Sequence, residues 1–146
     1  SGWLFRFDPP AERIELIERI AAEPLQRSGR WEPFRYGYLT LRIGPDRRTL
    51  YYLTGVYDLV GDDGREVPTG MHLVTYNLDT QQRTDHGVLR LDDGRYPVQC
   101  QTLAVHPSGR LFSCPWIEKP GRAEDDPVKN QCDLISFADP LAGGAS

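Results

Sequence analysis

One strand–turn–strand pattern occurs twice and constrains the fold more than any other feature. Its first copy runs Tyr36-Gly-Tyr-Leu-Thr-Leu-Arg-Ile-Gly-Pro-Asp-Arg-Arg-Thr-Leu-Tyr-Tyr-Leu53, and its second runs Thr102-Leu-Ala-Val-His-Pro-Ser-Gly-Arg-Leu-Phe-Ser-Cys-Pro-Trp116. The turns Gly44-Pro45-Asp46 and His106-Pro107-Ser108-Gly109 correspond, with prolines 62 positions apart (107 − 45). Polar turn residues between flanks rich in Leu, Ile, Thr and Tyr predict β-hairpins, the first near 37–43 and 48–54 and the second beginning near Gln101.

Three further segments share a Leu-centred pattern: Trp3-Leu-Phe-Arg-Phe7, His72-Leu-Val-Thr-Tyr76 and Asp133-Leu-Ile-Ser-Phe137. Their leucines are 69 (73 − 4) and 61 (134 − 73) positions apart, and one hairpin lies between each pair. A weaker polar strand, Arg83–Leu89, follows the second. Residues 12–21 are ambiguous, because Ile14, Ile17 and Ile20 have helical spacing. Correspondence with the other units instead assigns a strand from Arg13 to Ile17. Residues 22–35 read as a long loop, Asp92–Arg95 as a loop, and 140–146 as a frayed tail.

The unit is therefore hairpin, insertion, Leu-rich strand, turn and polar outer strand. Four-stranded antiparallel units at such spacing predict an all-β fold of β-propeller blades, related in size to WD-like blades. Hydrophilic insertions at 55–70, read as a hairpin tip, and at 118–131 lengthen the period. Residues 1–35 form the end of one blade plus a loop, 36–91 a complete blade, and 92–146 most of another. About two and a quarter blades cannot close a ring that needs about four. The expected partners are thus the remaining blades of a longer chain or copies of this one. An open sheet or small barrel of about nine strands is the alternative.

The 146 residues carry a net charge of −4, with both signs scattered, which argues against a nucleic-acid or anionic-membrane surface. No apolar run approaches the ~20 residues of a membrane span. The opening Ser1-Gly2-Trp3 lacks a basic stretch followed by an apolar one, so no signal peptide is read there. Cys100, Cys114 and Cys132 fit no zinc spacing and read as free thiols, with a Cys114–Cys132 pair across neighbouring strands as the alternative.

The Gly-Pro-Asp-Arg-Arg-Thr-Leu-Tyr-Tyr-Leu and Leu-Ala-Val-His-Pro-Ser-Gly-Arg-Leu-Phe stretches resemble bacterial propellers of the broad lactonase, quinoprotein and strictosidine-synthase-like group. His72–Asn77 followed by Thr84-Asp-His-Gly87 is similar to secreted or periplasmic members of uncharacterised function, which implies an extracytoplasmic location. The resemblance covers most of 36–137 and implies fold rather than chemistry.

Among the three histidines, His106 falls in a turn and His86 on an outer strand. His72 opens a Leu-rich strand, where Trp3 and Asp133 stand in the sister units, and is the metal-ligand candidate. Its plain alternative is a hydrogen-bonded surface histidine. The innermost strands are expected to line a channel, which makes Arg35, Tyr36, Tyr38 and Gln101 the candidate ligand-binding residues. A forked guanidinium beside aromatic rings suits a carboxylate or a sugar, while tyrosines packed between blades are the structural alternative. Asp62-Asp63-Gly64 and Asp92-Asp93-Gly94 read as turns, because a calcium loop needs further oxygen ligands. Glu124-Asp125-Asp126 reads as a solvated loop. No nucleophile or phosphate-binding motif occurs, and Cys114 reads as packing. Trp31 lies in a loop, whereas Trp3 and Trp116 are expected to be buried.

These observations predict a binding or scaffold propeller for a small molecule or carbohydrate, with no cofactor assigned. A lyase- or lactonase-type enzyme with a central metal or substrate site, and a lectin-like ring of short chains, are the alternatives.

Overall fold

Tight polar turns fold the Leu-, Tyr- and Val-rich segments back on themselves. In the first hairpin turn, Asp46 Oδ1 accepts from the backbone amides of Arg48 and Thr49, both at 3.0 Å. Its Oδ2 accepts from Thr49 Oγ1 at 2.7 Å. These bonds satisfy the donors that the turn would otherwise strand. The computed structural model describes residues 3–28, 40–55, 59–60, 66–67, 70–100, 102–118 and 130–143.

The chain opens with β1 (Trp3–Asp8), β2 (Arg13–Arg19) and a short helix α1 (Glu23–Ser28). Next come β3 (Arg42–Ile43), β4 (Thr49–Gly55), β5 (Leu59–Val60), β6 (Glu66–Val67), β7 (Met71–Asn77) and β8 (Arg83–Val88). The remainder comprises β9 (Pro97–Gln99), β10 (Ala104–His106), β11 (Arg110–Ser113), β12 (Trp116–Glu118), β13 (Asn130–Cys132) and β14 (Ile135–Ala138). All pairings are antiparallel. The chain is mostly β, as expected, and its central sheet has four strands in the order β3-β4-β7-β8. Flanking it are the two-stranded β1-β2 ribbon and the three-stranded β10-β11-β14 sheet.

The registers connect elements that are separate in the sheet list. Thr54↔His72 in β4–β7 and Leu59↔Val67 in β5–β6 share one register, so the short β5–β6 pair stands in line with the β4–β7 ladder. Likewise Ser113↔Ile135 in β11–β14 and Trp116↔Cys132 in β12–β13 share one register, interrupted at Cys114-Pro115. Both insertions thus include paired strands at their bases. The segment before Gln101 also differs from the expected loop and innermost strand. Pro97–Gln99 forms β9, which pairs with β12 rather than running on into β10.

The ladders also recur. Trp3↔Arg19, Phe5↔Leu16 and Phe7↔Ile14 become, 69 positions later, His72↔Val88, Val74↔Asp85 and Tyr76↔Arg83. The register shift after Leu4 has its counterpart in the shift between His72 and Val74. A shift of 61 likewise carries Leu50↔Tyr76 onto Leu111↔Phe137 and Tyr52↔Val74 onto Ser113↔Ile135.

Both faces of the central sheet are buried. Leu50, Tyr52, Val74 and Tyr76 on one face pack with Leu4, Ile17 and Ile20 of the ribbon side. Tyr51, Leu53, Met71 and Leu73 on the other pack with Leu103, Leu111 and neighbours of the third sheet. Burial on both faces explains why β4 lacks polar alternation.

Three expectations need correction. Residues 22–35 are not loop throughout, since Glu23–Ser28 is helical. Pro24 suits a helical first turn, and Gln26 ties that turn to the Arg19 and Ala21 carbonyls at 2.8 and 3.3 Å. Trp3 on β1 and Trp116 on β12 are exposed rather than buried, because no other sheet covers the faces on which they stand.

Candidate functional site

The third strand of the central sheet brings His72 beside Asp85 of β8, across the register shift between these strands. His72 Nδ1 lies 2.9 and 3.0 Å from the two Asp85 oxygens. Both side chains are almost fully buried. Asp85 Oδ1 also accepts from the Gly87 amide at 2.8 Å, and Oδ2 from the Glu23 amide at 2.6 Å. Burial alone would raise the Asp85 carboxyl. The bonds from His72 and the two amides outweigh it and hold the group below the usual carboxylate range. With Nδ1–H donated to that carboxylate, the neutral ring keeps Nε2 as an acceptor.

Arg83, two residues earlier and on the same face of β8, locks this corner to the preceding segment. Its Nη2 donates to Glu23 Oε2 at 2.9 Å and its Nη1 to the Ala21 carbonyl at 3.2 Å. Its Nε lies 3.7 Å from Glu18 Oε1. The bonds from Arg83 and Arg27 hold Glu23 below the usual carboxylate range. Burial raises Glu18 despite Arg83. Tyr52, fully buried behind this network, is pushed upward by burial, with Arg83 opposing and Glu18 and Asp85 adding. Among the described residues, the Tyr52 hydroxyl and the Thr54 hydroxyl find no hydrogen-bond partner. Thr54 is the cross-strand neighbour of His72.

A cavity of about 670 Å³ opens over this corner, walled by Glu23, Pro24 and Arg27 of α1 and by His72, Thr84 and Gly87 of the sheet. Its ionic groups are held within the wall: Glu23 pairs with Arg83 and Arg27, and Asp85 accepts hydrogen bonds from His72 and two backbone amides. What remains is a semi-polar cleft with imidazole and hydroxyl groups at its edge.

Of the residues singled out from sequence, His72 is brought to this cavity as a buried hydrogen-bond partner of Asp85, not as a surface histidine. Arg35, Tyr36, Tyr38 and Gln101 lie outside the described residues, as do Trp31, Asp62-Asp63-Gly64 and Glu124-Asp125-Asp126. His86 bonds through Nε2 to Thr75 Oγ1 at 2.8 Å, and burial lowers its pKa. His106 is exposed and bonds to Ser108 Oγ at 2.7 Å within its turn. Among the described residues no group of three or more His, Cys, Asp or Glu side chains converges as a metal site. Asp92-Asp93-Gly94 is a turn in which Asp93 accepts from the Arg95 amide and guanidinium at 3.0 and 2.7 Å. The cysteines are free thiols, as expected, but only Cys100 is buried; Cys114 and Cys132 are exposed, which corrects the reading of Cys114 as a packing residue. No described helix is long and apolar enough to cross a membrane.

Sequence reasoning missed Asp85, Arg83 and Glu23. A signal for the first two was present. The positions 69 residues earlier are Leu16 and Ile14, so two charged residues occupy sites that are apolar in the sister strand. Comparison with protein-family models, with curated proteins and with solved structures finds no match.

Proposed function

We propose that this chain is a run of β-propeller blades that binds a neutral polar small molecule, of the carbohydrate class, at the junction between its first and second sheets. The observation that carries the reading is the double-sided burial of the central sheet between two sheets whose ladders recur in register. A four-stranded sheet with two apolar faces needs a neighbour on each side, and radial stacking supplies one to every sheet. The junction cavity supports the binding role. Its ionic groups are already engaged by partners within the wall, which favours hydroxyl-bearing ligands over ions, and His72 Nε2 and Thr84 offer hydrogen bonds at its rim.

Titration of the chain with neutral mono- and disaccharides, followed by amide NMR, tests this directly. Saturable shifts are expected at Thr84, Gly87 and Glu23 and are abolished by His72→Ala. Shifts elsewhere, or none, refute the site. Stacking is tested separately by hydrogen exchange. The amides of Leu53, Val74 and Tyr76 should exchange slowest, and fast exchange there would refute a covered central sheet.

The His72–Asp85 pair favours a second reading. A carboxylate-oriented imidazole is also the arrangement of a general base, as a lyase- or lactonase-type propeller would use. Turnover of simple lactones that disappears in His72→Ala would select that reading over binding.

A further inference from the structure

The two ends of the stack carry the two halves of an interface that the chain already builds twice. At the first junction, Leu4 and Ile20 on the ribbon side meet Leu50, Val74 and Tyr76. At the second, Leu73 and Leu89, their counterparts 69 positions on, meet Leu111 and Phe137. Those are in turn the counterparts of Leu50 and Tyr76, 61 positions on. Each sheet therefore presents an aliphatic face forward and a face mixing leucine with aromatic or β-branched residues backward.

The backward face of the ribbon is uncovered. Phe5 and Phe7 occupy the positions of Val74 and Tyr76, and Phe5 is 57% exposed. Leu16 beside it is 60% exposed. At the other end, Leu134 occupies the position of Leu73 yet is 75% exposed, where Leu73 is 3% exposed. A depression of about 240 Å³ lies beside Leu134, walled also by Phe112, Cys114 and Ala104. An apolar patch of this kind on a soluble domain marks an interaction surface.

We infer that these faces dock to one another between copies of this chain, head to tail, with Phe5 and Phe7 of one copy seated against Leu134 of the next. The inference rests on the stacked-sheet reading above and names the partner. Its occupant is a second copy because the missing half of each contact is present, exposed, at the opposite end of the same chain. The contact is heterologous, and repetition closes a ring if the rotation per copy allows.

Sedimentation velocity of the intact chain, with the Phe5→Glu and Leu134→Glu variants alone and mixed, tests this. The wild type is expected to assemble. Each variant alone should be monomeric, since every contact then lacks one face. An equimolar mixture should give one-to-one dimers and nothing larger, because a single intact pair of faces remains. Phe7→Lys and Ala104→Glu serve as a second pair if circular dichroism shows either first variant unfolded. A monomeric wild type, assembly by a single variant, or a mixture without dimers overturns the inference. A monomeric wild type that retains slow exchange at Leu53 and Val74 overturns only the second-copy partner. Loss of that protection overturns the stacking itself.

Discussion

Replacing Asp85 tests whether the buried carboxylate organises the junction corner. In the wild type it accepts from the Glu23 amide at 2.6 Å, the Gly87 amide at 2.8 Å and His72 Nδ1 at 2.9 Å. Asp85→Ala leaves three donors without their acceptor in a nearly closed site. An unsatisfied buried group costs about 1–3 kcal/mol, and partial hydration of the cavity side offsets some of this, so the expected loss is about 2–4 kcal/mol. With a urea dependence of about 1–3 kcal/mol per molar for a small protein, the unfolding midpoint should fall by roughly 1–2 M. Asp85→Asn keeps one acceptor oxygen but turns an NH2 towards a donor, so about half that loss is expected.

The same pair of proteins gives a pH signature. The folded Asp85 carboxyl lies below its ordinary value, so its ionised form is favoured by folding. That contribution is fully present above the unfolded value of about 3.9 and is lost as pH falls through the folded one. The stability gap between wild type and Asp85→Asn should therefore be constant above about pH 5 and shrink below about pH 4. Urea midpoints by tryptophan fluorescence from neutral to acid pH read both effects. A loss in Asp85→Ala under about 0.5 kcal/mol, or a gap indifferent to acid, would refute the reasoning.

Three further perturbations follow from the packing. Leu73→Ala should cost about 3 kcal/mol in urea unfolding, whereas Leu134→Ala in dilute protein should stay within about 0.5 kcal/mol, and equal costs would deny their different burial. Gly70→Ala should lose about 2 kcal/mol or more, read as a lowered melting temperature. Gly70 has a φ of +85°, and a Cβ there would approach Val88 and Tyr96 to 2.8 and 2.9 Å. Mild oxidation should join Cys114 and Cys132, whose sulfurs lie 3.4 Å apart, within one chain. The bond should raise stability by about 3 kcal/mol. The reaction should be slow at neutral pH because the hydrogen bond shared with Cys114 pushes the Cys132 thiol upward. Mass spectrometry showing only cross-linked chains would contradict it.

The strands of the central and third sheets were legible because spacing, rather than alternation, carried the signal. Alternation fails in β4 and β7, which are buried on both faces, while the recurrence of Leu4, Leu73 and Leu134 survives. The helical look of Ile14, Ile17 and Ile20 has a local cause. Phe5 pairs with Leu16 but Leu4 pairs with Glu18, so Ile17 is the extra residue of a bulge. Ile14 and Leu16 stand on the exposed face, and the bulge turns Ile17 and Ile20 inward. A two-residue period broken by one inserted residue imitates a period near three. The helix Glu23–Ser28 was invisible for a different reason, because six residues are too few to set up an apolar face.

The candidate site was only half legible, because it lies where the chain departs from its own pattern. His72, Asp85 and Arg83 replace Trp3, Leu16 and Ile14 of the sister strands at matching register. On the ribbon these positions make a bare apolar face fit to receive another sheet. On the central sheet the same positions are polar or charged, and the ribbon with its short helix covers them through Ala21 and Glu23 instead of through leucines alone. The junction therefore meets a structural need, closure of one sheet on the next, with polar groups that a purely structural contact would not require. Replacing apolar residues by buried charged and polar groups is seldom stabilising in itself. That gives the corner between the first and second sheets a stronger claim to function than the junction between the second and third, where the Tyr51 hydroxyl bonds to Asp139 at the margin of an apolar cluster.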